Sequence, residues 1–191
     1  HDRDRVPANA IGIEIEAGLA FGTGHHGTTP GCLQALDRLL KARRFTRPLD
    51  VGTGTGVLAI ALAKAAHVKV MATDIDPIAV EVTKENAAKN GVGSTIRAFT
   101  ANGVSTAAVQ AGAPYDLVFA NILAKPLVAL APTVGPLLAR GSVIILSGLL
   151  VSQRRGVEAA WPAPPFLPLF PLHIHGSATP PLQPPRPLCE D

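Results

Sequence analysis

A glycine-rich turn between a short apolar strand and an apolar helix constrains this chain more than any other feature. Residues 50–56 read Asp-Val-Gly-Thr-Gly-Thr-Gly, and a second acid, Asp74, follows the next apolar stretch. A strand, a glycine turn into a helix and an acid after the next strand form a nucleotide-binding unit. The glycines let the backbone approach a ligand closely, and a carboxylate can accept from both hydroxyls of a ribose. The pattern therefore predicts a nucleotide cofactor on an α/β sheet.

The glycine spacing indicates which nucleotide this is. The dinucleotide pattern Gly-x-Gly-x-x-Gly/Ala needs Gly or Ala at position 57, where this chain has Val57. The spacing Gly-x-Gly-x-Gly favours S-adenosylmethionine (SAM) over NAD. Free N–H groups of the turn are expected to form an anion site that faces the methionine end and the ribose. The predicted cofactor-binding residues of this unit are Asp50, Gly52, Thr53, Gly54, Gly56 and Asp74.

Strand and helix signals alternate along the chain, which predicts an α/β fold. Strands are expected at residues 48–51, 68–73, 95–100, 116–120 and 142–147. Helices are expected at 57–66, 77–90 and 126–138, after a first helix with Thr28 or Thr29 as its N-cap. Near-continuous apolar strands between helices are typical of a mostly parallel sheet with helices on both faces.

The pattern divides the chain into three parts. Residues 1–17 are interpreted as the remnant of a linker and a first strand, because residues 11–16 alternate apolar and polar side chains. Residues 18–161 carry the alternating elements of the cofactor-binding domain. Residues 162–191 hold 10 of the 18 prolines. Proline at that density breaks helices and sheet ladders, so this tail is predicted to be extended or disordered.

Composition excludes several classes of protein. A chain of 191 residues with 47% hydrophobic and 16% charged residues is typical of one globular domain. No apolar run is long enough to span a membrane. The net charge is +3, but basic residues are not clustered and aromatics make up only 4%, which argues against direct nucleic-acid readout. Two cysteines are too few for a disulfide framework or a zinc site, which favours the reducing cytoplasm.

Two asparagines follow predicted strands at the edge where α/β sheets bind ligands. Asn102, after the third strand, could hydrogen-bond an adenine edge or form an ordinary Asn-Gly turn. Asn121 follows the fourth strand and is predicted to lie beside the transferable methyl, where its amide oxygen could accept from an incoming amine. The alternative is a turn asparagine that caps the next helix. Asp76 is expected to be the N-cap of the helix that begins at Pro77.

A loop at residues 18–29 is rich in glycine, threonine and histidine. Its adjacent His25 and His26 have no cysteine or acid at ligand spacing, and His173 and His175 in the tail have none either. Neighbouring side chains point in different directions, so no metal site is predicted.

Taken together, the loop and the motifs resemble one family, the PrmA methyltransferases that modify large-subunit ribosomal protein L11. The resemblance covers about residues 9–160. The matching segments are Gly18–His25 with Thr28 and Thr29, Leu49–Gly56, Asp74–Pro77, Asn121–Ala124 and Leu146–Leu150. The glycine motif is common to many SAM enzymes, whereas the first loop and Asn-Ile-Leu-Ala together are much more specific.

The resemblance implies a Rossmann-like class I SAM-dependent methyltransferase, with seven strands and a reversed hairpin at the C-terminal edge. It implies methyl transfer to lysine side chains and to the N-terminal amine of the ribosomal protein. The protein is separately expected to be a monomer. Thr23, Gly24 and Thr29 would line the cofactor beside Gly52, Gly54 and Asp74, and Asn121 would stand at the substrate side. The family also carries a recognition domain ahead of the region that this chain matches.

Two alternatives stay open at this point. One is a SAM methyltransferase with another acceptor, such as RNA or a small molecule. The other is a non-catalytic SAM-binding module.

Overall fold

The computed structural model describes residues 10–16 and 28–161. Its sheet has five parallel strands: β1 Pro48–Val51, β2 Val70–Asp74, β3 Ile96–Thr100, β4 Tyr115–Asn121 and β5 Leu138–Ser147. They lie in the order β3-β2-β1-β4-β5. The order reverses between β1 and β4, and in open α/β sheets ligands bind in the crevice beyond the strand ends at such a point.

Helices cover both faces of the sheet, as predicted. They are α1 Thr28–Ala42, α2 Val57–Ala66, α3 Pro77–Lys89, α4 Ala107–Ala111, α5 Ala124–Val134 and α6 Arg154–Ala160. Alternate residues of β4 serve the two faces: Leu117 and Phe119 pack in the core under α1, α2 and α3. Val118 and Ala120 pack in the core under α4, α5 and α6. Within the described residues, no helix is long and apolar enough to cross a membrane.

The two elements around the glycine turn, β1 and α2, have the bounds predicted from sequence. The helix expected at 126–138 is shorter than predicted: α5 ends at Val134, and a 3-10 turn at Gly135–Leu137 contains Pro136. Leu138 was expected at the end of that helix but is the first residue of β5, where it pairs with Tyr115. The helices α4 and α6 were not predicted, because they are too short to show a periodic pattern.

The prediction of a first strand within residues 1–17 is wrong for residues 11–16, which belong to no strand. Asparagine side chains of α3 take the place of a neighbouring strand there, as described below. The sheet of the described residues has five strands rather than seven, and all are parallel. The expected reversed hairpin would fall in the tail, residues 162–191, which lies outside the described residues. The three-part division of the chain therefore stays a prediction.

The start of α3 is fixed by the predicted cap. The Asp76 carboxylate accepts a hydrogen bond from the backbone N–H of Ile78 at 2.8 Å, and Pro77 is the first helical residue. Proline suits this position because its missing N–H would have no partner within the helix. Asp76 lies two residues after the end of β2, so the cap also fixes the direction of α3 relative to β2.

Candidate active site

The glycine turn between β1 and α2 is tied down by its own backbone. The N–H groups of Gly52 and Thr53 both donate to the Thr73 carbonyl, at 2.8 and 2.9 Å, and Gly56 N–H donates to the Thr53 carbonyl at 2.9 Å. Gly54 N–H donates to an Asp74 carboxylate oxygen at 2.8 Å. Four amides of the turn therefore already have protein acceptors, so they are not the free N–H groups of the predicted anion site, which stays a prediction for the start of α2. Such a turn suits a cofactor without a pyrophosphate.

Two backbone hydrogen bonds fix the Asp74 carboxylate beside the glycine turn and leave some of its lone pairs unused. Its Oδ2 accepts from Gly54 N–H at 2.8 Å, and its Oδ1 accepts from Asp76 N–H at 3.0 Å. A carboxylate has about four lone-pair sites, so among the described residues each oxygen keeps one that no hydrogen bond uses. The side chain is half-buried at the end of β2. Two fixed free acceptor sites fit the two hydroxyls of a ribose.

Gly52 brings the turn against the loop that follows β4. Its φ is +72°, and a Cβ at this position would lie 2.3 Å from Cγ2 of Ile122, the residue after Asn121. No real Cβ contact is that short, and the β-branched Ile122 side chain has little freedom to move away. The glycine therefore lets the cofactor turn and the Asn121 loop meet.

Gly52→Ala is expected to lower the free energy of unfolding by about 2–5 kcal/mol, from left-handed backbone strain plus overpacking. Gly91→Ala is the matched control, because Gly91 has the same φ of +72° and nothing within 4 Å of the added Cβ. Only the backbone strain of about 1–2 kcal/mol should appear there. Urea unfolding of both variants measures the difference, and equal losses would contradict the close approach to Ile122.

Asp50 and Thr53 support the turn from below. Asp50 is 1% exposed, and its Oδ2 accepts from the Thr53 hydroxyl at 2.8 Å. Burial raises the pKa of Asp50 to about 7, a rise that the Thr53 hydrogen bond reduces and the Asp74 charge increases. Burial likewise raises the pKa of the nearby Cys32 thiol to about 11. Asp50 and Thr53 are both buried, so their side chains stabilise the turn, and direct contact of either with a cofactor stays a prediction.

The Asp50 carboxyl should make stability depend on pH. Its pKa rises from an ordinary 3.8 to about 7 on folding, so between these values the folded protein binds more protons than the unfolded chain. The free energy of unfolding therefore falls as pH rises through this window and levels off above it. Asp50→Asn should remove this fall, and relative to the parent it should gain about 2.5 kcal/mol between pH 5 and pH 8.

Denaturant unfolding at the two pH values measures the effect. Asp37→Asn is the control, because Asp37 is an exposed acid paired with Lys41 on α1. A gain with Asp37→Asn as large as that with Asp50→Asn would contradict the assignment to the buried carboxyl.

Asn121 lies at the end of β4, opposite Ser147 at the end of β5. Its half-buried side chain makes no hydrogen bond within residues 10–16 and 28–161. The N-cap of α5 is Leu123, and no side chain caps that helix. The alternative interpretation of Asn121 as a helix cap is therefore wrong. Its amide is left available at the switch point, beside the turn that Gly52 brings close.

The other predicted site residues fall in different places. Thr29 is buried in the first turn of α1, one turn before Cys32, whose thiol lies near Ser147 at the end of β5. Asn102 is exposed in the turn after β3, so its contact with adenine stays a prediction. That turn is tied to β2 by a hydrogen bond of 2.8 Å from Ala101 N–H to the Asp74 carbonyl.

The four histidines considered for a metal site and two predicted cofactor residues lie outside the described part of the chain. Thr23, Gly24, His25 and His26 fall in the first loop, and His173 and His175 fall in the tail. Among residues 10–16 and 28–161, no group of three potential metal ligands occurs. The absence of a metal site stays a prediction.

Sequence reasoning missed two side chains of α3 that hold the turn. The Thr83 hydroxyl donates to the Gly54 carbonyl at 3.0 Å, and Asn86 Nδ2 donates to the Thr55 carbonyl at 2.9 Å. Both side chains are fully buried. The sequence pattern that could have revealed them is a buried stripe along α3 in which Thr83 and Asn86 are polar. The stripe consists of positions 79, 80, 83, 86 and 87. Polar residues within a buried stripe need partners, and here the partners are carbonyls of the turn.

The parallel sheet with helices on both faces defines the chain as a Rossmann-like α/β domain, the fold class of SAM-dependent methyltransferases. Solved structures share the fold: a SAM-dependent methyltransferase from Geobacter sulfurreducens, in complex with S-adenosyl-L-homocysteine, matches with a TM-score of 0.53 and 18% identity. That match covers 64% of this chain and 49% of the other. The predicted fold class is confirmed.

The chain belongs to the ribosomal protein L11 methyltransferase (PrmA) family, whose model matches residues 1–167. The curated L11 methyltransferase of Allorhizobium ampelinum is 55% identical over 161 residues, and that of Brucella suis is 53% identical. Each match covers 84% of this chain and 56% of the relative, so the chain spans about half the length of these proteins. The crystal structure of a ribosomal protein L11 methylase from Lactobacillus delbrueckii matches with a TM-score of 0.69 and 34% identity, over 78% of this chain and 72% of the other.

Proposed function

We propose that this chain carries the SAM-binding and methyl-transfer part of a ribosomal protein L11 methyltransferase. The acceptors are lysine side chains and the N-terminal amine of the ribosomal protein. One observation carries the proposal: Asp74, fixed by Gly54 N–H at 2.8 Å, and Asn121, which makes no hydrogen bond to the described residues, end the parallel strands β2 and β4 on either side of β1. Family membership supports the choice of acceptor.

Cofactor binding in this proposal rests on Asp74 and the turn. The free acceptor sites of Asp74 receive the two ribose hydroxyls in charge-assisted hydrogen bonds. Gly52 and Gly54 carry no side chain, so the cofactor can lie against the backbone of the turn. Thr29 and Asn102, with Thr23 and Gly24, complete the proposed cofactor contacts. SAM supplies an electrophilic methyl group bound to a positively charged sulfur.

Asn121 orients the acceptor amine in this proposal. Its amide oxygen accepts a hydrogen bond from the amine and directs the nitrogen lone pair at the methyl carbon, which is an effect of positioning. A lysine amine has an ordinary pKa near 10.4, so most molecules arrive protonated. Removing the amine from water lowers its pKa and favours the neutral nucleophile. An amide cannot take up the proton at neutral pH, so the proton leaves to solvent.

The experiment that tests the proposal is methyl transfer from radiolabelled SAM to purified ribosomal protein L11, followed by mass spectrometry of the product. Methylated lysines and a methylated N-terminus are expected, and L11 with chemically blocked amines should accept no label. SAM binding without transfer to L11 would favour the non-catalytic module. Transfer to ribosomal RNA instead of the protein would favour another acceptor.

The same proposal includes a cytoplasmic location, where ribosomal proteins are made, and a monomeric enzyme that makes no sequence-specific contact with nucleic acid. Size-exclusion chromatography with light scattering tests the monomer, and a mass of twice the chain would overturn it.

A further inference from the structure

Residues 11–16 are bound to α3 through their backbone. Asn90 accepts from Glu14 N–H at 3.0 Å and donates to the Glu14 carbonyl at 2.6 Å. Asn86 does the same for Glu16, at 3.0 Å in both directions. Four residues of helix rise about 6 Å and two residues of extended chain about 6.6 Å, so side chains four apart on α3 match alternate residues of the segment. The two asparagines thus replace the missing neighbouring strand.

Two lysines secure the same segment from α2 and α3. Lys64 donates to the Gly12 carbonyl at 2.6 Å. Lys89 forms an ion pair with Glu16. The segment is therefore seated by groups on two helices, and its seating does not depend on a sheet ladder.

Asn86 joins this segment to the cofactor turn. Its Nδ2 donates both to the Glu16 carbonyl at 3.0 Å and to the Thr55 carbonyl at 2.9 Å. The side chain is 1% exposed, and its bond to the Thr55 carbonyl is buried, so that carbonyl would lose a partner away from water if Asn86 were removed. The bond to the Glu16 carbonyl is only partly buried. Asn90 contacts the segment but not the turn: its Nδ2 donates to the carbonyls of Glu14 and Asn86.

We propose that Asn86 is a positioning residue that couples the seating of residues 11–16 to the shape of the Gly52–Gly56 turn. The chain on the N-terminal side of the segment then influences cofactor binding through one side chain. Because coupling between two sites is reciprocal, SAM binding must also stabilise the seated segment. This inference rests on the proposed function of the turn in binding SAM.

Asn86→Asp and Asn90→Asp form a matched pair for the test, since each removes two donated hydrogen bonds and keeps the acceptor oxygen. Asn86→Asp should weaken SAM binding, measured by calorimetry, at least about tenfold. Asn90→Asp should change it less than about twofold. Equal losses in the two variants, or an unchanged affinity in a folded Asn86→Asp protein, would overturn the proposal.

Amide hydrogen exchange distinguishes coupling through Asn86 from a purely structural role of that residue. SAM should slow exchange of the Glu16 amide in the parent and leave it unchanged in Asn86→Asp. A parent that binds SAM with no effect on Glu16 exchange would overturn the coupling.

A second pair covers the case in which Asn86→Asp does not fold. Glu16→Pro removes the N–H that donates to Asn86, and Glu14→Pro removes the equivalent donor to Asn90. Only Glu16→Pro should weaken SAM binding, and equal effects of the two would overturn the coupling.

Failure of the parent to bind SAM would overturn the proposed function and leave the coupling testable. Exchange of the Gly56 amide reports on the turn without a ligand, because that amide donates to the Thr53 carbonyl. Faster exchange in Glu16→Pro than in Glu14→Pro supports the coupling, and equal rates overturn it.

Discussion

Asp74→Ala should weaken SAM binding about 100-fold, because two charge-assisted hydrogen bonds to the ribose are lost. The same change removes the acceptor that fixes Gly54 N–H at 2.8 Å, so the turn also loses an anchor. Calorimetric titration with SAM measures the loss, and NAD titrated in parallel should not bind the parent. Affinity for SAM within threefold of the parent would contradict the assignment of Asp74 to the ribose.

Asp76→Ala is the control for this variant, since Asp76 is the next acid along the chain and its cap role is established. Its backbone N–H still donates to Asp74, so the carboxylate of Asp74 keeps its position. Loss of the cap to Ile78 should lower the free energy of unfolding by about 1 kcal/mol and leave SAM affinity within about twofold. A SAM affinity loss as large as that of Asp74→Ala would show that the turn responds to helix capping rather than to a ribose contact.

Asn121→Ala should lower the rate of methyl transfer to L11 about 100-fold, because misplacing the amine by about 1 Å has an effect of this size. SAM affinity should fall less than tenfold, since Asp74 and the turn remain. The loss should appear in kcat more than in KM for SAM. Single-turnover transfer of labelled methyl to L11 measures the chemical step directly.

Asn121→Asp distinguishes the role of the amide oxygen from that of the NH₂ group. It keeps an acceptor oxygen at the same place, so it should retain more activity than Asn121→Ala. Full transfer activity in the alanine variant would remove Asn121 from the mechanism. Equal loss in both variants would show that the NH₂ group, not the oxygen, is what the reaction uses.

The part of the site that sequence predicted is the part encoded by local backbone chemistry. Glycine spacing next to apolar runs predicts the glycine turn, β1 and α2. The N-cap at Asp76 is predicted because an aspartate directly precedes Pro77. The position of Asn121 at the switch point follows from the rule that ligands bind beyond the strand ends. Such features depend on residues close in the chain, so a single sequence contains them.

The part that sequence did not predict depends on contacts between distant residues. Residues 11–16 alternate like a strand, but which group accepts their backbone depends on Asn86 and Asn90, some 70 residues away. Amides of the turn that were expected to be free donate to Thr73 and Asp74, which lie on the neighbouring strand β2. Short elements such as α4 are fixed by packing against the sheet. Five residues are too few to show the hydrophobic periodicity of a helix in the sequence.

The strand order also shapes how the chain is made. Residues paired across β1 and β4, such as Asp50 and Phe119, lie far apart in the chain. A translating ribosome therefore releases β1, β2 and β3, three of the five strands, while the edge of β1 stays unpaired until β4 emerges. Open edges pair with other chains, and pairing between distant segments is slow to form. Nascent chains that stop short of Tyr115 are thus the form of this protein most exposed to aggregation, and synthesis of β4 ends that exposure.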